Sequence, residues 1–291
     1  MKKSAFTKIT ALISALLILL TLSSCTYQMP DEITLKDEIT DADTLRFMSF
    51  NIRCLEYNKR KNIVPTLIKE YAPDSLGVQE CTHQWYENLI ETLPEYGFIG
   101  VGRDSGDLES GCGEISGILY NKDKYNLIDS DTFWLSETPD EVSKGWDGAC
   151  RRICTWAILE DKETGEQFAH VNTHLDHQGP EARTNGSQMV RDFALDFDMP
   201  VVVTGDFNFK KDTDLYNGMI GTGLSDAALI AAETMEGKTY HDYKGGEDGL
   251  PIDFIFTNEK VSEVLKYKIV RDKYNGTYSS DHYPIYIDVK F

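Results

Sequence analysis

Pro200-Val201-Val202-Val203-Thr204-Gly205-Asp206-Phe207-Asn208-Phe209 is the stretch that decides how this chain is read. Its β-branched apolar run, opened by a proline, predicts a short buried strand. Gly205 then allows a sharp turn or the close approach of a ligand. Asp206 and Asn208, two apart on a continuing strand, would point to the same side. A hard cation takes oxygen ligands and a phosphate takes a hydrogen-bond donor, so the pair suits both. It equally suits a turn whose Asp and Asn side chains satisfy backbone groups. The stretch alone leaves both readings open, and its surroundings decide between them.

Those surroundings form one large domain with a leader. The chain has 291 residues, 41% of them hydrophobic, which suits a sizeable core and excludes global disorder. Residues 1–25 stand apart. Lys2, Lys3 and Lys8 precede an apolar run, Ile9 to Leu22, too short for a comfortable membrane span, and Leu22-Ser23-Ser24-Cys25 follows. This reads as a secretory signal. Its end resembles a bacterial lipobox, which implies an extracytoplasmic protein anchored to a bacterial membrane through lipid on Cys25. Residues 26–43 are poor in large apolar side chains and rich in Asp, Glu and Thr, so a flexible tether is expected there. Residues 44–291 are then expected to be the folded domain.

Net charge is −19, and loss of the three lysines in the signal makes it more negative. Proteins that grip nucleic acid without sequence preference carry a basic stripe, so long nucleic acid is disfavoured as the main substrate. A cation-dependent site remains compatible, because the metal supplies local positive charge. Of the 6 cysteines, those after Cys25 are odd in number, so at least one thiol stays unpaired within the chain. Without a Cys-x-x-Cys, neither a zinc ribbon nor a thioredoxin-like site is expected.

Strands are expected at 45–52, 74–80, 251–256, 264–270 and 285–289, a hairpin at 151–160 and 167–174, and helices at 62–71, 82–92 and 181–197. On the first strand Phe47, Ser49 and Asn51 share a face. Thr82 suits a helix N-cap, and Asp212-Thr213-Asp214 suits a helix start rather than a calcium loop. Strands and helices do not alternate strictly. Two packed sheets flanked by helices therefore fit better than a single parallel sheet. Asn51, Glu80, His174, Asp206, Asn208, Asp253, Asp281 and His282 all fall at strand breaks. A buried apolar strand does not normally take a carboxylate without compensation. Convergent Asp, Glu, Asn and His at strand ends is what metal-assisted hydrolysis requires.

The ordered set Phe50-Asn51, Gln79-Glu80, Asn172-Thr173-His174, Gly205-Asp206-Phe207-Asn208, Ile252-Asp253-Phe254 and Ser280-Asp281-His282 resembles the endonuclease/exonuclease/phosphatase (DNase I-like) superfamily. Gly102-Arg103-Asp104, Lys144-Gly145-Trp146-Asp147 and Arg152-Ile153-Cys154-Thr155-Trp156 resemble a bacterial branch of secreted metal-dependent hydrolases within it. The resemblance implies an α/β fold, a four-layer sandwich with two central mixed sheets. It implies Mg²⁺ (or Mn²⁺) on Glu80 with Asn51 beside it, and Asp281 helping the metal or His282. Asp206 would activate water, Asn208 would hold a phosphoryl oxygen, and His174 and His282 would stabilise the growing charge. Asp253 would orient one of those imidazoles. Arg103 and Arg152 are candidate substrate contacts, with ion pairing in an acidic protein as the other reading. His177, in His-x-x-His, suggests zinc but lacks a third ligand at a recognisable spacing. Trp134, Trp146 and Trp156 suit either the cleft or the core. The expected activity is hydrolysis of phosphate mono- or diesters, with small sugar, nucleotide or lipid head-group phosphates favoured. An extracellular nuclease and a non-catalytic surface binding protein are the alternatives, and the sequence does not fix the oligomeric state.

Overall fold

A computed structural model describes residues 27–221 and 223–291; the expected signal and Cys25 lie outside them. Two six-stranded mixed sheets lie face to face. The first contains β1 (Leu45–Asn51), β2 (Ser75–Cys81), β3 (Tyr96–Ile99), β4 (Ile115–Asn121), β11 (Glu263–Ile269) and β14 (Ile285–Lys290), in the order β11-β14-β1-β2-β4-β3. The second contains β5 (Tyr125–Trp134), β6 (Ile153–Asp161), β7 (Gln167–His174), β8 (Val201–Asp206), β9 (Leu224–Asp226) and β10 (Asp253–Asn258), in the order β5-β6-β7-β8-β10-β9. A hairpin, β12 (Lys273–Tyr274) and β13 (Thr277–Tyr278), stands apart. Helices α1 (Tyr57–Arg60), α2 (Ile63–Tyr71) and α3 (His83–Thr92) belong to the first sheet's side. Helices α4 (Pro180–Leu195) and α5 (Asp214–Ile220) pack on the second, and α6 (Ala227–Ile230) follows β9. Thr213 caps α5, accepting a hydrogen bond from the Tyr216 backbone N–H. Thr82 occupies the N-cap of α3 but makes no side-chain capping bond.

Alternation along the strands builds three apolar layers. Met48, Phe50, Leu76 and Val78 pack with Leu67, Trp85 and Leu89 on the first helical side. Val201, Val203, Phe254 and Phe256 pack with Val190 and Tyr216 on the other. Phe47, Val202, Phe168 and Ile255 meet between the sheets. This confirms the four-layer α/β sandwich.

The inter-sheet face changes character along each strand. Phe47, Ser49 and Asn51 succeed one another on β1, as do Val202, Thr204 and Asp206 on β8. The middle rank is a buried polar seam. Gln79 donates to Asn172 Oδ1 at 2.7 Å, and Asn172 donates to the carbonyls of Val78 and Gly117 at 3.0 and 2.9 Å. Thr204 donates to Asn172 Oδ1 at 3.0 Å, and His170 lies between Ser75 and Thr204 at 2.6 and 2.9 Å. The last rank is the candidate site.

Residues 27–43 contain no helix or strand, yet they lie against the domain. Asp37 takes Lys266 at 2.7 Å, Lys268 at 2.9 Å and the Tyr286 hydroxyl, while Arg46 donates to its carbonyl at 2.7 Å. Lys36 pairs with Glu70 and Asp272 at 2.7 and 2.9 Å. Composition suggested a solvated tether because the docking uses charges and one aromatic rather than a run of large apolar side chains. The segment fills the helical layer beside α2. Among the described residues no helix is long and apolar enough to cross a membrane.

Candidate active site

Three neighbouring strands of the second sheet deliver the centre in register. Asp206, the last residue of β8, lies opposite His174 on parallel β7 and opposite Asp253 on antiparallel β10. His174 Nε2 is 3.4 Å from Asp206 Oδ2. His282, in the loop before β14, donates from Nδ1 to Asp253 Oδ2 at 2.9 Å, which leaves Nε2 3.8 Å from Asp206. The facing sheet contributes Asn51, whose amide donates to Asp206 Oδ2 at 3.0 Å and to Glu80 Oε1 at 3.1 Å. Glu80 sits where the β2–β4 pairing shifts register, with φ of 57°. Such bulges re-aim a side chain, and left-handed backbone at a non-glycine residue stores strain of order 1 kcal/mol or more. The Cys54 N–H donates to Glu80 Oε2 at 3.0 Å.

The charges follow from these contacts. Burial pushes the Asp206 carboxyl up, and the neighbouring Asp253 adds to this. Burial alone would strip His282 of its proton, but Asp253 and Asp206 together outweigh it and hold the imidazole at about 10. Burial lowers His174 well below the usual histidine range, and Arg152 and Arg103 reinforce this. Its Nδ1 is buried without a hydrogen-bond partner. Burial works against ionised Glu80, yet the Cys54 N–H and the Asn51 amide keep its carboxyl below the usual range. The family resemblance implied one role for both histidines. The structure separates a charged His282 from a neutral His174.

Two details of the β8 exit differ from expectation. Gly205 makes no turn: it lies within β8, where a Cβ would sit 2.7 Å from the Thr173 carbonyl, so its smallness admits β7. Asn208 is not on a continuing strand. Its φ is 51°, its N–H donates to Asp206 Oδ1 at 3.1 Å and its amide donates to the Leu175 carbonyl at 3.0 Å. The turn reading holds for Asn208, and that turn brings its amide to the cleft beside Asp206.

The centre opens into a cleft of about 320 Å³ lined also by Arg53, Arg103, Glu114, Arg152, Tyr240 and Asp281. Asp281 is ion-paired with Arg53, so its charge is already met by a guanidinium. Arg103 donates to Glu114 at 2.7 Å, while Arg152 is buried and hydrogen-bonded to His177 Nδ1 at 3.2 Å. Both arginines are ion-paired, Arg103 with Glu114 and Arg152 with Glu114 and Asp176 at 3.9 and 4.0 Å, and both line the cleft. Cys150, Asp176 and His177 lie close enough together to suggest a metal. The Asp176 oxygens, however, already accept the N–H groups of Ala149, Cys150, Gln178 and Gly179. The carboxylate is a loop clamp. Trp134 donates its indole N–H to the Arg103 carbonyl at 2.8 Å, and Trp156 packs on Phe193 and Phe197. The five described cysteines are all free thiols.

Arg53 and Tyr240 are among the cleft residues that sequence reading missed. Arg53 has left-handed backbone, φ 55°, directly after the β1 exit. Tyr240 is 44% exposed, with its ring centroid 5.0 Å from that of His282. Arg53 follows Asn51 by two residues, which is the one sequence signal it offered; Tyr240 offered none.

A sequence profile of the Endonuclease/Exonuclease/phosphatase family matches residues 48–282. The chain belongs to this family. Within the endonuclease/exonuclease/phosphatase family, a Bacteroides vulgatus structure is 38% identical with a TM-score of 0.78, covering 85% of this chain and 99% of that one. A mannosyl-6-phosphatase from Bacteroides thetaiotaomicron is 30% identical with a TM-score of 0.79, covering 85% and 100%. Human Nocturnin is 21% identical over 277 residues; the match takes in 84% of this chain and 61% of Nocturnin's length. Members of the endonuclease/exonuclease/phosphatase family are hydrolases, phosphatases and nucleases that generally use divalent metals. The residues present suit such an ion. Glu80 is ionised and offers carboxylate oxygens, as a hard cation requires, while the Asn51 amide N–H groups bridge it to Asp206.

Proposed function

We propose that this protein is a divalent-metal-dependent phosphoesterase acting on small phosphate esters, sugar phosphates foremost, by in-line attack of water. The observation that carries this reading is Asp206 held in register between His174 and Asp253, with His282 clamped on Asp253. Glu80 and Asn51 are the residues that would hold Mg²⁺ or Mn²⁺, which when bound neutralises charge on the phosphoryl oxygens. Asp206 takes the proton of the attacking water; its raised pKa suits a base working near neutrality. Charged His282 presents Nε2–H to a phosphoryl oxygen, and Asp253 fixes its tautomer through Nδ1. Neutral His174 adds a hydrogen bond without adding charge. The second amide hydrogen of Asn208 is left for the phosphate.

The acidic chain and the modest cleft support small substrates over polymers. The mannosyl-6-phosphatase likeness supports a sugar phosphate monoester within that class. Secretion and lipidation at Cys25 remain part of the proposal on the signal sequence alone. The test is one panel of sugar phosphates, nucleotides, lipid head-group phosphates and plasmid DNA, assayed in Mg²⁺ or Mn²⁺ and again with excess chelator. Sugar phosphates should turn over fastest, chelator should abolish turnover, and Asp206→Asn should reduce it by about 10²- to 10⁴-fold without changing the melting temperature. Activity untouched by chelator would reject the metal. Efficient DNA cleavage would replace the substrate assignment with a nuclease.

A further inference from the structure

The N-terminal segment enters the domain at the cleft end. The Tyr27 carbonyl accepts the Asn62 amide at 2.9 Å, and its ring packs edge-on against Tyr274 with centroids 5.3 Å apart. Asn62 is the N-cap of α2. Just before it, buried Arg60 holds the carbonyls of Ile52 at 2.5 Å, Arg53 at 2.8 Å and Ser279 at 2.8 Å. Arg53 lines the cleft. From Tyr27 the chain runs away from the site. Lys36 reaches Glu70 late in α2, the Asp37 carbonyl meets Arg46 at the start of β1, and Asp41 pairs with Lys290 at the end of β14. It thus travels about the length of β1, roughly 23 Å, before β1 returns to deliver Asn51.

Cys25 is two residues from Tyr27, a span of at most about 7 Å, whereas a free segment over 26–43 would reach on the order of 60 Å. The surface beside Tyr27 differs from the rest of this acidic chain. Of the basic residues from Arg53 to Asn62, Arg60 is buried and Arg53 pairs with Asp281, so Lys59, paired with Glu56, and Lys61 are the ones that reach the surface. Leu55 is 58% exposed, with Lys59 and Lys61 exposed nearby and Lys273 exposed over the Tyr278 ring. An exposed leucine among lysines suits the headgroup boundary of a bilayer, where the apolar chain inserts and the ammonium groups meet lipid phosphates.

We propose that residues 27–43 are an orienting strap, and that the face formed by residues 53–62 and the β12–β13 hairpin rests on the lipid bilayer. The catalytic cleft then opens beside the membrane rather than at the end of a long leash. This rests on lipidation of Cys25 and is independent of the phosphoesterase reading.

The test uses the full-length lipidated protein in vesicles that contain a lipid with a photoreactive headgroup, with cross-linked peptides mapped by mass spectrometry. Cross-links should concentrate on 53–62 and 273–278 and be several times rarer on the β6–β7 turn, 162–166, at the opposite end. A flexible Gly-Ser insert of about 30 residues between Cys25 and Tyr27 should erase that bias at unchanged melting temperature. Even labelling of both ends, labelling centred on 162–166, or a Cys25 that carries no lipid by mass would each overturn the proposal. None of these outcomes bears on whether the cleft hydrolyses phosphate esters, which the substrate panel reads separately.

Discussion

Asp253 is buried and absent from the cleft lining, yet it sets the charge of two groups that do line it. Its carboxylate raises His282 and also raises Asp206, so Asp253→Asn should move both limbs of the pH–rate profile to lower pH. The alkaline limb, where His282 loses its proton, should fall from about 10 towards the ordinary histidine value near 6.5. The acid limb should fall because Asp206 no longer faces a neighbouring anion. A profile of kcat/KM against pH with an unmoved alkaline limb would remove Asp253 from this role. The identities of Asp206, His282 and Asp253 were legible because strand ends rarely carry uncompensated acids. The difference between the histidines was not. It depends on the burial of His174, reinforced by Arg152 and Arg103, and on the carboxylates of Asp253 and Asp206 around His282, an arrangement that only the fold brings together.

At the scale of elements, the two sheets meet closely at Gly77. A Cβ there would sit 2.1 Å from Thr204 Oγ1 and 2.4 Å from Asn172 Oδ1. Gly77→Ala should therefore wedge the polar seam, costing about 1–3 kcal/mol in a urea or thermal melt, with a larger loss of kcat as Asn51 and Asp206 draw apart. Unchanged stability would show that the seam yields without cost. Strand positions were readable from β-branched runs such as Val201–Val203. The exits from those strands were less so. Gly205 and Asn208 invited a turn and a strand, respectively, and took the reverse roles, because strand spacing and an Asp206–Asn208 bond fix them rather than local preference. The bulge that aims Glu80 likewise leaves no mark in the sequence.

For the molecule as a whole, the order of elements was enough to expect two packed sheets flanked by helices, and the family resemblance supplied the four-layer arrangement. The strap was hidden, since acidic, apolar-poor segments are usually solvated. Its hold depends on the ionised Asp37 carboxylate. Partial burial opposes that charge, but Lys266, Lys268 and Tyr286 hold the carboxyl well below the usual range. The folded value lies below the unfolded one, so the stabilisation is complete above about pH 4 and fades as pH falls further. Asp37→Asn should lower the melting temperature at neutral pH, with the gap to wild type closing below about pH 4. A gap that stays constant down to pH 3 would assign the effect to packing.

The seam of Gln79, Asn172, Thr204 and His170 has one further consequence. These amides and hydroxyls match in a single alignment, and sliding one sheet past the other by one residue, about 3.3 Å, would strand every one of them. The sandwich therefore behaves as a keyed chassis. Loops at its rim, 136–150 and 240–250, can be exchanged for others without disturbing the seam, because neither supplies a seam residue, whereas 103–117 carries Gly117, whose carbonyl takes the Asn172 amide, and Arg103, which bears on His174. New specificity on this frame is a matter of grafting rims, and the chemistry comes along unchanged.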